Sequence, residues 1–303
     1  MNTQTPENTK KIKIRRSQKK EKISVFSVLM FLMLLLYCLI LFTMVVWTVF
    51  SSVKHPWDFD DNPISLPEKW LIAENFRYVL KYFTYNIRGV KANILQMFGN
   101  AFLYAGGCAT AQVICMSMMA YVTARFKNYK MSKIIYAIVL FVMVFPIIGS
   151  GPSEMQFVTK LGFKNHIWAM WILKFNFLGL YFLIFHAAFG SVPDSYAEAA
   201  KIDGANNYQI MIRIFYPLIL PILSTVWLLI FVSMWNDYQV PLLYIPEKPT
   251  ISYGLYRFYS NMTHDTPYKL MACLVVLVPI LIVFMIFKNK LMGKLSLEGG
   301  VKG

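Results

Sequence analysis

The 26 residues at 25–50 contain no charged side chain. A bilayer core is about 30 Å thick, and roughly 20 apolar residues in a helix cross it. Within that core only a helix or a closed barrel satisfies the backbone polar groups. A cleaved leader has a shorter apolar region ending at a small-residue site. This run is too long and offers no such site, so it is expected to be retained. Five further apolar runs follow, at about 100–124, 134–148, 167–189, 215–235 and 270–287. The expectation is an all-α membrane protein with six transmembrane helices. Composition agrees, with 57% hydrophobic and 15% charged residues where soluble domains have about 45–50% and about 25%. Disorder, collagen-like repeats and disulfide scaffolds are excluded by the same figures. No stretch alternates apolar and polar residues as a barrel strand does.

Gly106, Gly107, Ala109 and Ala111 make the second run rich in small residues. Small residues let helix backbones approach closely in lipid, which places this span inside a bundle. Charge supplies the orientation. The chain carries 30 Lys+Arg against 15 Asp+Glu, a net +15. Eight of the basic residues fall within 10–22. With that end in the cytoplasm, cytoplasmic segments hold 18 Lys and Arg and the outer loops 11, as basic residues near spans require. Trp47, Trp168, Trp171 and Trp235 fall near outer span ends, where an interfacial aromatic belt belongs. Both signals give N-in/C-in. The basic excess is an orientation signal with attraction for anionic membrane lipid; it is not a nucleic-acid footprint.

The loop at 51–97 reads as ordered and extracellular; the loop at 239–269 is marked by prolines and a glycine, then Tyr-rich, and its Asn261-Met262-Thr263 sequon carries little weight. No internal repeat supports an inverted-repeat transporter. Cys38, Cys108, Cys115 and Cys273 lie inside apolar runs and read as small hydrophobes. The four histidines have no metal-ligand spacing, and no catalytic constellation is visible. Enzyme chemistry and a metal site are not expected.

The cytoplasmic loop 191–214 is the informative segment. Ser191 can cap a helix that has Pro193 and Asp194 at its start. Ala197, Ala199 and Ala200 give that helix high propensity and a shallow surface. Gly204 stands where a left-handed C-terminal residue is expected, and Asn206 with Gln209 matches a second capping box. The result is a short helix, a sharp turn and a second helix leading into span five at Pro217. Such a helix either fits a groove on a partner, oriented by Glu198 and Lys201, or rests on the membrane surface.

Glu198-Ala199-Ala200, three residues, Gly204, nine residues, Ile214, one residue, then Tyr216-Pro217 resembles the EAA motif of ABC importer permeases. Tyr216 stands where that family usually has Leu. Ile202-Asp203-Gly204-Ala205, Trp235-Asn236-Asp237 and the ending Gly299-Gly300-Val301-Lys302-Gly303 are similar to the sugar-importer branch, and to its maltose-type permease subunit in particular. The similarity extends loosely over 100–303. It implies a type I ABC importer permease (MetI-like) fold in a prokaryotic plasma membrane, with a basic cytoplasmic segment 1–24, a six-helix domain 25–290 containing the EAA loop at 191–216, and a cytoplasmic tail 291–303.

The resemblance also implies the partners: a second, non-identical permease, two copies of a cytoplasmic ATPase, and an extracellular solute-binding protein. Glu198, Ala199, Ala200, Asp203, Gly204, Ile214 and Pro217 would couple to the ATPase, and Gly300, Val301, Lys302 and Gly303 would reach it from the tail. The chain contains no Gly-x-x-x-x-Gly-Lys-Ser/Thr loop, so no cofactor is expected here, and ATP and Mg belong to the partner subunits. The implied function is import of a sugar or oligosaccharide. The alternatives are a permease for glycerol phosphate or peptide, or an ATPase-independent channel or scaffold.

Lys174 is the one charge well inside an apolar run. It either faces a cavity or snorkels to the interface. Asn176 either lines a pathway or bonds another helix. Trp235, Asn236 and Asp237 mark the outer end of span five and are candidates for pathway or binding-protein contacts. Trp227, Phe231 and Trp235 recur on one helical face, which suits sugar rings but is more commonly packing. Pro146, Pro217, Pro221 and Pro279 either break helices near a moving centre or end them.

Overall fold

The structure is a computed structural model that describes residues 25–87, 89–145, 149–261 and 263–298. The segment 1–24, Pro146 and the tail residues Gly300, Val301, Lys302 and Gly303 lie outside the described residues.

Helix α1 (Val25–Ser52) opens the chain, and the fold divides into two compact units, Met1–Thr48 and Val49–Gly303. In the first unit Thr43 and Thr48 donate their hydroxyls to the carbonyls of Leu39 and Met44, 2.8 and 2.9 Å. These back-bonds satisfy both polar groups within the helix, as an apolar surrounding demands.

The second unit continues with α2 (Pro56–Asp61), α3 (Ile72–Tyr82), and an antiparallel hairpin of β1 (Tyr85–Ile87) and β2 (Val90–Ala92) that pairs Tyr85 with Ala92. The hairpin is a small departure from the all-α expectation. Next come α4 (Ile94–Arg125), α5 (Lys130–Val144), α6 (Gly151–Lys160), α7 (Ile167–Leu173), α8 (Leu180–Ser191) and α9 (Ser195–Ile202). The chain then runs through α10 (Asn207–Ile210), a π-turn (Met211–Phe215), α11 (Tyr216–Leu218), α12 (Leu220–Asn236), α13 (Gln239–Tyr244), α14 (Ile251–Ser260) and α15 (Thr266–Glu298).

Helix α4 is the centre of this unit, with α7, α8 and α12 packed along it. Ala101, Ala105, Ala109 and Ala120 are buried on it, as its small-residue content led one to expect. It begins earlier than the apolar run, because Asn93 and Gln96 form a capping box: each side-chain oxygen accepts from the other's backbone N–H, at 2.9 and 3.0 Å.

Val25–Ser52, Ile94–Arg125 and Thr266–Phe287 are each long and apolar enough to cross a bilayer. Asn207–Leu218 with Leu220–Asn236 makes a fourth if the pair is one span, bent by 75°. The continuous helix expected at 167–189 is instead two, α7 and α8, separated at 174–179. Gly179, at φ 137°, adopts a conformation that side-chain-bearing residues avoid and sets the start of α8.

The bend in the other pair has a local cause. Pro217 and Pro221 supply no N–H, so two carbonyls four residues earlier lose their helical donors, and the pyrrolidine rings crowd them. The chain accommodates this with the π-turn, in which the Tyr216 N–H reaches back to the Met211 carbonyl, and with the break at Ile219. The second helix of the loop therefore runs past Pro217 to Leu218 before the chain turns. Pro279 neither breaks nor ends a helix; it lies inside α15.

Candidate functional site

The loop 191–216 is held at the C-terminal end of α4. Its first helix, α9, closes with paired bonds: the Gly204 N–H donates to the Lys201 carbonyl at 3.0 Å and the Ala205 N–H to the Ala200 carbonyl at 2.9 Å. That is a Schellman closure. Gly204 has φ +82°, and a Cβ there would meet nothing within 4 Å. Glycine is required by backbone conformation at this point, not by a close neighbour. Asn206 and Gln209 then form the expected capping box, at 2.9 and 3.0 Å. The helix–turn–helix read from the loop sequence is present.

Its entry differs from expectation. Ser191 does not cap α9; it ends α8, its hydroxyl donating to the Ala188 carbonyl at 2.8 Å. Asp194 occupies the N-cap position without a side-chain cap bond, because its carboxylate pairs with Arg125. The Arg125 guanidinium also donates to the Val192 carbonyl at 3.0 Å and lies 4.4 Å from the ring centroid of Phe215. Ser117 and Tyr216 join α4 to the loop's far end through hydroxyls 2.9 Å apart. Tyr121 adds edge-on ring contacts to Phe189 and Phe215.

Glu198, Ala199, Lys201, Ile202, Asp203 and Gly204 are exposed, whereas Ala200 is buried against the chain's own core. Ile214 is half-buried and Pro217 exposed. Tyr196, Ile202 and Tyr208 are apolar groups standing in the open, with Ile202 87% exposed. Tyr196 and Tyr208 belong to no motif in the sequence, Ile202 enters only through the Ile202-Asp203-Gly204-Ala205 resemblance, and Arg125 counts there only as one of the basic residues near a span.

At the other end of α4, the Tyr104 hydroxyl donates to Asp237 Oδ2 at 2.8 Å. Asp237 Oδ1 accepts from the backbone N–H groups of Gln239 and Val240 at 3.0 and 3.1 Å. One carboxylate thus closes α12, starts α13 and holds both to α4. Trp235 is a core residue, 1% exposed and surrounded by Phe98, Phe102 and Phe231. Its ring faces the protein interior, not outward as a belt residue's would. Trp227 and Phe231 stack in the same row, so within this chain the aromatic stripe is packing. Asn236 is exposed, its amide donating to the Val232 carbonyl at 2.8 Å.

Lys174 is half-buried at the end of α7, where the helix breaks. Asn176 follows within the irregular segment, its N–H donating to the Lys174 carbonyl at 2.9 Å. Lys174 and Asp237 both lie within electrostatic reach of Cys108 on α4, so the segment and the α12 end converge on one level of α4. The four cysteines are unpaired.

A family model described as "Binding-protein-dependent transport system inner membrane component" matches residues 114–295. The chain is 26% identical over 270 residues to the diacetylchitobiose uptake system permease protein of Streptomyces coelicolor, covering 85% of each. It is 25% identical over 239 residues to the melibiose/raffinose/stachyose import permease protein of Bacillus subtilis, covering 78% of this chain and 84% of that one. Its fold is similar to a chain in the crystal structure of a bacterial ABC transporter involved in the import of the acidic polysaccharide alginate. That likeness has a TM-score of 0.70 at 20% identity, over 88% of this chain and 96% of the other.

Proposed function

The chain belongs to the binding-protein-dependent transport system inner membrane components, and from that premise we propose how it works as the permease subunit of an ABC sugar importer. It forms half of a translocation pathway for a sugar or oligosaccharide. A second, non-identical permease forms the other half, an extracellular binding protein delivers the solute, and two ATPase subunits carrying ATP and Mg supply the energy. The observation that carries this reading is the 198–204 segment, exposed but for Ala200, closed by a left-handed glycine and held at the end of the central helix.

The coupling contact is made by Glu198, Ala199, Asp203 and Gly204, joined by the exposed Tyr196, Ile202 and Tyr208. Buried Ala200 instead sets how closely α9 approaches its own bundle. Ile214 and Pro217 lie on the segment that carries the loop into the bent helix pair, and the tail Gly300, Val301, Lys302 and Gly303 completes the ATPase contact.

In this reading the six spans are α1, α4, α5, α7 with α8, the bent pair, and α15, in an N-in/C-in orientation. Helices α7 and α8 are about 10 and about 18 Å long at 1.5 Å per residue, so together they approach the thickness of a bilayer core of about 30 Å. The non-helical backbone between them is tolerated at that depth where it is buried in protein or lines a water-filled cavity. Lys174 and Asn176 on it are the pathway contacts this reading favours. Of the triplet at the end of α12, Asn236 is the exposed residue left to face a binding protein, while Asp237 holds the turn.

The test is purification of the chain with whatever accompanies it, followed by uptake of radiolabelled raffinose, diacetylchitobiose and glycerol phosphate into proteoliposomes. A stoichiometric ATPase, a second permease and ATP-dependent uptake of a saccharide are expected. Glu198→Lys combined with Gly204→Pro abolishes that uptake without preventing membrane insertion. An isolated chain that conducts solute without ATP refutes the reading.

A further inference from the structure

We propose that Arg125 is the positioning residue of the coupling loop, one guanidinium that ties the loop's entry to its exit so that the loop moves with the end of α4 as one body. The inference rests on the reading of 191–216 as the coupling loop. The entry is held at the Val192 carbonyl, 3.0 Å from one guanidinium nitrogen, and at the Asp194 carboxylate, which pairs with the other. The exit is held at Phe215, whose buried ring lies 4.4 Å beneath the guanidinium carbon.

Phe215 is the last residue of the π-turn and lies just before the break at Ile219. A push on α9 therefore reaches the bent helix pair through a short stack: Val192 and Asp194, Arg125, Phe215. Without that stack, a loop of more than twenty residues with two glycine- or proline-marked turns would absorb the displacement in its own backbone.

The three contacts are unequal. The Arg125 side chain is 11% exposed but that of Asp194 is 75% exposed. Solvent screens an ion pair with one end in water, so the carboxylate contributes little. The Val192 carbonyl and the Phe215 ring face the buried part of the guanidinium, where a hydrogen bond and a cation–π contact count for more. A planar fork that donates in two directions while its flat face covers a ring cannot be reproduced by an ammonium. Arg125→Lys should therefore be damaging although it keeps the charge, and Asp194→Asn should be mild.

The experiment uses the assembled importer in lipid nanodiscs and proteoliposomes. Spin labels go on the exposed positions Asn128, just beyond α4, and Ser195, on α9. The native protein is expected to give one narrow distance distribution, with and without ATP and vanadate. Arg125→Lys broadens it and lowers saccharide uptake per ATP hydrolysed by about tenfold or more, whereas Asp194→Asn changes uptake by less than about twofold. If Arg125→Lys fails to assemble, Phe215→Leu keeps a buried apolar side chain while removing the ring under the guanidinium, along with its edge-on contact to Tyr121, and carries the same expectation.

A narrow distribution in these variants, or a broadened one with native coupling, overturns the proposal. Failure of the native complex to hydrolyse ATP during uptake refutes the importer reading instead, and the distance measurement still decides whether Arg125 holds the loop.

Discussion

The indole of Trp171 occupies the space beside Gly107: a Cβ on that glycine would lie 2.0 Å from Trp171 Nε1. The same Nε1 donates to the Leu103 carbonyl at 3.0 Å, one turn earlier on α4. Gly107 is thus the notch into which α7 docks, and α7 carries the helix break with it.

Gly107→Ala is expected to push Trp171 out of this notch. Overpacking of this kind costs about 1–3 kcal/mol, read as a lowered midpoint in thermal denaturation of the detergent-solubilised protein. Trp171→Phe in the Gly107→Ala background relieves the clash and should recover part of the loss. An unshifted midpoint for Gly107→Ala would show that α7 is not seated on α4 through this glycine.

Tyr104→Phe removes the donor to Asp237 but leaves the two backbone N–H groups on the other carboxylate oxygen. A hydrogen bond to a charged group is worth about 1.5–3 kcal/mol, so denaturation at lower temperature is the expected outcome. Asp237→Ala, which also removes the link between α12 and α13, should cost more than Tyr104→Phe. The reverse order would mean that the turn is held elsewhere.

Gly204→Ala forces a side chain into a left-handed backbone at φ +82°, at a cost of about 1–2 kcal/mol. There is open space for the methyl group, so the penalty is conformational. Gly204→Asn should be tolerated better, because asparagine adopts this region more readily. Uptake by the Asn variant above that of the Ala variant supports the turn's role; equal uptake in both counts against it.

His264, in the loop before α15, stacks on Phe258 with centroids 4.1 Å apart, and its Nδ1 lies 3.1 Å from the Tyr78 hydroxyl. Burial, followed by the charge of Lys269, holds its pKa below the ordinary 6.5, with Asp265 opposing. The unfolded segment therefore binds more protons than the folded one between the lowered pKa and 6.5. Stability is full above that window and is lost as pH falls through it. Hydrogen exchange in α14 should quicken on moving from about pH 7.5 to about pH 5.5 beyond the intrinsic pH effect, and His264→Gln should remove that excess.

Much of this protein is legible in local pattern. The apolar runs specify membrane helices because backbone polar groups have no other satisfaction in lipid. The Ala-rich stretch, Gly204 and the Asn206–Gln209 pair specify a helix–turn–helix because caps and left-handed positions are short-range chemistry. The spaced motif of 198–217 points to the family from the sequence because its spacings lie within one short continuous stretch of chain.

What tertiary structure alone decided are the contacts between segments far apart in sequence. The run 167–189 looks continuous by hydropathy, yet it breaks after Leu173, with α7 seated on Gly107 and α8 packed elsewhere on α4. Ala199 and Ala200 are identical in composition, and only packing exposes one and buries the other. Asp194 reads as an acidic residue favoured in the first turn of a helix, until Arg125, 69 positions away, pairs with it. Hydropathy and capping rules sum over neighbours along the chain, whereas these outcomes depend on which side chains meet when helices close on one another.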